Sequence, residues 1–117
     1  MKFFPLSTDV KKPEGLQEEY KAGREIGKIH LGVTHFFFRS VRKVYYIPYT
    51  EIRRYFRRVM LVPAKLCCGK GEFQMENLVI CGDAGELAQI ELPGTQAAKV
   101  LMECMSELAP EAISGKE

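Results

Sequence analysis

Residues 43–59, KVYYIPYTEIRRYFRRV, pass from a run of aromatic and β-branched residues straight into two arginine pairs. Val44, Tyr45, Tyr46 and Ile47 suit a pleated, half-buried strand. Pro48 lacks an N–H, which places that strand near an edge or a bulge. Beyond it, residues 50–61 read two ways. As a helix, Ile52, Tyr55, Phe56, Val59 and Met60 share one face and the arginines the other, with Thr50 as N-cap and Pro63 as stop. As a strand, each face mixes arginine with apolar side chains. The strand is the better reading, because Arg53 and Arg54 would oppose the positive end of a helix dipole, and arginine stems can lie over apolar strand surface.

The pattern around this stretch is also β. Residues 24–33 alternate, and His35, Phe36, Phe37, Phe38 and Arg39 continue the run, with Ser40, Val41 and Arg42 as the turn into the next strand. Residues 72–81 and 86–92 form two strands joined by Gly82, Asp83, Ala84 and Gly85, a strong hairpin signal. Thr95 is positioned to cap a helix running to about Ala109, with Ala97, Ala98, Leu101, Cys104, Met105 and Leu108 as its apolar stripe. Pro110 closes it. Before residue 24 the pattern is weak. Lys11 to Gly15 reads as a turn, and Leu16 to Lys21 as either a helical turn or an entering strand.

A chain of 117 residues with 46% hydrophobic and 27% charged residues is one folded domain by length and composition. No apolar run is long enough to span a bilayer, and the first residues lack a signal-peptide core, so a cytoplasmic protein is expected. The four cysteines, Cys67, Cys68, Cys81 and Cys104, lack the spacing of a disulfide framework.

Net charge is only +2, yet it is segregated. Residues 39–70 hold nine Lys and Arg against Glu51 alone, a net +8; residues 71–117 hold Lys99 and Lys116 against nine acids, a net −7. Arg39, Arg42, Lys43, Arg53, Arg54, Arg57 and Arg58 are therefore the candidate anion- or partner-binding residues. Arginine forks suit phosphate, and the interleaved Tyr55 and Phe56 suit stacking, so acidic lipid or RNA is one reading. Internal ion pairing, to acids such as Glu76, Glu86 and Glu91, is the other.

The strands of residues 24–38, the IPYTEI element (residues 47–52), the Gly82–Gly85 hairpin and the final helix together resemble a bacterial pleckstrin-homology-like (PH-like) domain. The resemblance covers roughly residues 24–109, leaving 1–23 as an N-terminal segment and 110–117 as a tail. It implies a mainly β fold, a barrel of two roughly orthogonal antiparallel sheets capped by one C-terminal helix. It also implies a binding module without catalysis and without a cofactor. The segment that would hold a phosphoinositide reads KIHLGVTH (residues 28–35), with one lysine and two histidines, which does not match the family's basic arrangement.

No catalytic constellation accompanies these elements. His30 and His35 have no Ser or Cys with an acid nearby in sequence and read as half-buried strand residues. Gly69, Lys70 and Gly71 lack the spacing of a phosphate-binding loop. Adjacent Cys67 and Cys68 do not offer the two-to-four-residue spacing of zinc ligands, leaving a thiol-redox or metal role as the remote alternative. The expected function is an intracellular interaction or scaffolding module that takes a protein or peptide at a strand edge.

Overall fold

A computed structural model describes residues 2–6, 14–63 and 72–115. The turn expected at Cys67 to Gly71, with Lys65 and Lys70, lies outside the described residues, as does the segment 7–13. In chain order the elements are β1 (Lys2–Pro5), α1 (Leu16–Ala22), β2 (Arg24–Ile26), β3 (Ile29–Leu31), β4 (His35–Ser40), β5 (Lys43–Pro48), a 3-10 turn (Tyr49–Glu51), β6 (Arg54–Pro63), β7 (Glu72–Gly82), β8 (Gly85–Glu91), α2 (Thr95–Leu108) and β9 (Ile113–Ser114).

The strands form two sheets, ordered β1-β5-β4-β3-β2 and β8-β7-β6-β9. The mainly β fold with a C-terminal helix is as expected, and residues 54–63 are a strand. Three features differ from the expectation. The two sheets do not close into a barrel. The ladders are not wholly antiparallel, since β1 runs parallel to β5 and β9 parallel to β6. A second helix, α1, precedes the first hairpin.

The three consecutive phenylalanines show why the first sheet reads as a continuous apolar run. Successive strand side chains point to opposite faces. Phe36 and Phe38 join the main core, whereas Phe37 joins Phe3, Leu16, Tyr20, Val44 and Tyr46 on the other face, under α1. Both faces are covered, so no position in the run is free to be polar. Helix α1 has only seven residues, too few to be stable alone. It is held by Leu16 and Tyr20, four apart and buried on one side, and by Glu18 and Glu19 in its first turn.

The main core lies between the two sheets and α2. Ala98, Leu101 and Met105 are fully buried there, and burying a side chain of the size of Leu101 contributes about 1.5–3 kcal/mol. Thr95 does not cap α2. It is the first helical residue, Gly94 holds the cap position without a side-chain bond, and the Gly94 carbonyl accepts from the Ala98 N–H at 3.1 Å.

Two tight hairpins make a matched pair. In β2–β3, Ile26 pairs with Ile29, leaving a two-residue turn whose first residue, Gly27, has φ 61°. In β4–β5, Ser40 pairs with Lys43, and the equivalent first residue is Val41, with φ 53°. Two-residue hairpin turns require that left-handed backbone, which glycine adopts freely and a β-branched residue resists.

Candidate functional site

The seven candidate cations fall into two places. Arg53, Arg54, Arg57 and Arg58 lie on or just before β6 in the second sheet, and Arg39, Arg42 and Lys43 lie at the β4–β5 turn in the first. Their electrostatic states differ.

On β6 the arginines are engaged internally. Arg53 Nε donates to Asp83 at 2.6 Å, in the β7–β8 turn. Arg57 donates twice to one oxygen of Glu76, at 2.9 and 2.6 Å. Arg58 donates to Gln89 at 2.6 Å and to Glu86 at 3.1 Å, and its guanidinium lies 5.5 Å from the Phe56 ring. Arg54 donates to the carbonyl of Gly115 at 2.8 Å. Internal pairing to Glu76 and Glu86 is therefore what the register delivers. Asp83 is the additional partner, and no ion pair to Glu91 is formed among the described residues.

Strand alternation explains the distribution. Tyr55, Arg57, Val59 and Leu61 face the core side of the sheet, and Arg54, Phe56, Arg58 and Met60 face outward. Arg57 thus stands beside Glu76, which is only 4% exposed and needs a cation. On the outer face an open depression of about 610 Å³ is bounded by Arg53, Arg54 and Arg58 together with Asp83 and Glu86. Its alternating charges give an anion no concentrated positive field.

The same strand has an apolar edge that sequence reasoning missed. β9 covers only its beginning: the Arg53 carbonyl accepts from the Ile113 N–H and the Tyr55 carbonyl from the Gly115 N–H, both at 2.9 Å. By alternation the backbone groups of Arg57, Val59 and Leu61 lie on that same edge, and no described strand pairs with them. Val59, Met60 and Leu61 are 48%, 45% and 62% exposed. The available signal was the unbroken run of residues 59–62, VMLV, directly after the arginines.

At the β4–β5 turn, Arg39, Arg42 and Lys43 are exposed and form no ion pair among the described residues. Lys43 Nζ sits 5.2 Å from the Phe4 ring. Val41, between them, is 95% exposed.

The histidines belong to a structural clasp. Glu19 on α1 accepts the N–H groups of Thr34 and His35 through one oxygen, each at 2.7 Å, and contacts His35 Nδ1 through the other at 2.9 Å. Burial works to raise the Glu19 carboxyl, but the bonds from Thr34 and His35 outweigh it and hold the group below its ordinary range. Tyr49 donates to the Gly32 carbonyl at 2.8 Å, and burial, then the Glu19 charge, pushes its hydroxyl well up. His30 stacks on Tyr20 with ring centres 4.0 Å apart, and its Nδ1 lies 3.1 Å from the Tyr20 carbonyl. These contacts fasten α1 to the β3–β4 connection and leave both histidines half-buried or buried, as expected of strand histidines.

Cys67 and Cys68 lie outside the described residues. Cys81 and Cys104 are free thiols, and burial pushes the Cys81 thiol up, away from the reactive thiolate. Among the described residues no group of three or more His, Cys, Asp or Glu could hold a metal ion, and no helix is long and apolar enough to cross a membrane. Compared with family models, curated proteins and solved structures, the chain matches none of them.

Proposed function

We propose that the protein is a non-catalytic binding module that takes an extended polypeptide segment on the open edge of β6, as an added strand. The observation that supports this reading is an edge at Arg57, Val59 and Leu61 whose backbone groups pair with no described strand, flanked by exposed Val59, Met60 and Leu61. Main-chain hydrogen bonds would supply affinity, and alternate side chains the choice of sequence. β9 already illustrates strand addition at this edge, over Arg54 and Tyr55 only. In this reading the two sheets and α2 are a PH-like scaffold, a partly open barrel with the helix at its mouth, working inside the cell with a protein partner. No catalytic residue or cofactor is assigned.

The test is a peptide selection against the immobilised protein, followed by mapping of binders on the backbone amides. Perturbation centred on Arg57, Val59 and Leu61 is expected. Val59→Pro should abolish it while leaving the fold intact, because that N–H points to the free edge and not to β7. Binders that map elsewhere, or that bind Val59→Pro equally well, would sink the proposal.

A further inference from the structure

Independently of the β6 edge, we propose that the β4–β5 turn docks on an anionic lipid bilayer, with Val41 as the residue that enters the headgroup boundary. Val41 occupies the apex of the hairpin with 95% of its surface exposed. Arg39 and Ser40 precede it, Arg42 and Lys43 follow it, and all four are exposed. The neighbouring β2–β3 turn adds exposed Lys28, whose carbonyl accepts from the Arg39 N–H at 2.8 Å. On the other side, Lys2 of β1 is the register partner of Lys43. Among the described residues, Lys28, Arg39, Arg42 and Lys43 form no ion pair, although Glu91 lines the same shallow depression as Lys28 and Arg39.

The chemistry selects the partner. Several cations gathered at adjacent strand ends suit an extended negative surface, where each contributes about a fivefold gain in partition. The apex residue is aliphatic and can neither stack on a base nor donate a side-chain hydrogen bond. The nearby rings are already engaged: Phe38 is buried, Tyr45 stacks on it with ring centres 5.2 Å apart, and Phe4 lies against Lys43. A bilayer interface accepts such an apolar knob and its ring of cations together. Because Val41 holds a left-handed backbone that Gly27 holds freely in the matching turn, its side chain is presented outward at the expense of local strain.

The chain contains no tryptophan, so Val41→Trp introduces a single reporter at the apex. The control is Val33→Trp, at the opposite end of β4, where the native residue is 87% exposed. Titration with phosphatidylcholine vesicles containing phosphatidylserine should shift the emission of the Val41→Trp protein to the blue and expose it to brominated-lipid quenching. Pure phosphatidylcholine should leave it unchanged, high salt should reverse the shift, and the emission of the Val33→Trp protein should stay constant. The unmodified protein should co-sediment with the same anionic vesicles, and Arg39→Gln with Arg42→Gln should lower its partition by about 25-fold. No co-sedimentation at low salt overturns the proposal. So does an equal shift for the Val33→Trp control, or binding of a homopolymeric RNA without any vesicle response.

Discussion

Two basic regions close together in sequence have opposite electrostatic fates. At β6, Arg57 and Arg58 meet Glu76, Glu86 and Gln89 because β6, β7 and β8 are hydrogen-bonded neighbours in one sheet. At the β4–β5 turn, Arg39, Arg42 and Lys43 meet solvent, because no acid among the described residues comes within ion-pair distance of them at that end of the first sheet. A positive count therefore says little about anion binding until the pairing is known. The more conspicuous arginine pairs are the poorer candidates, and the sparser tip is the better one.

The largest test of this contrast is deletion at each place. Arg57→Ala would leave Glu76 buried without its cation. We expect a loss of about 2–3 kcal/mol in denaturant unfolding, below the usual range for a broken buried pair because the Arg57 side chain is a third exposed. Arg42→Ala should leave unfolding unchanged. Equal effects at the two positions would erase the distinction.

A second experiment asks whether buried-acid pairing is confined to β6. Glu19 has a depressed carboxyl, so its contribution is fully present above the unfolded-state value of 4.5 and lost as pH falls through the lower folded-state value. Glu19→Gln should weaken the clasp at neutral pH by about 1.5–2 kcal/mol and flatten the acid limb of the stability profile. An unchanged pH profile would show that the clasp carries no charge-dependent stability.

The smallest expected effect concerns the tip itself. Val41→Gly relieves the left-handed β-branched position and should stabilise the fold by about 1 kcal/mol, read as a rise in Tm. The same variant should lose vesicle association. A fall in Tm would mean that Val41 has a packing role that its exposure does not reveal.

Much of the architecture was legible in the residues. The alternation through residues 24–49, the Asp83 and Ala84 turn and the stripe of Ala98, Leu101 and Met105 all state their own periods, and the strand preference for residues 50–61 holds from Arg54 onward, its start being a 3-10 turn. What stayed hidden depended on contacts distant in sequence. Helix α1 is too short for propensity to decide between the helical turn and the entering strand open to residues 16–21, and becomes a helix because Leu16 and Tyr20 find the back of the first sheet. The apolar edge of β6 was obscured because the run containing Val59, Met60 and Leu61 reads as core until one knows that β9 stops at Ser114.

By itself, then, the sequence determined that residues 24–92 are mainly strand, where two of the hairpins turn, and that one amphipathic helix follows, but it did not reveal β1 or β9. The properties it determined are local, set by side-chain period and backbone preference. Only the tertiary structure decided which acid meets which arginine, which edge is left open, and which cations face water. Each of these depends on strand register and sheet order, and a shift of one residue would exchange every inward side chain for an outward one.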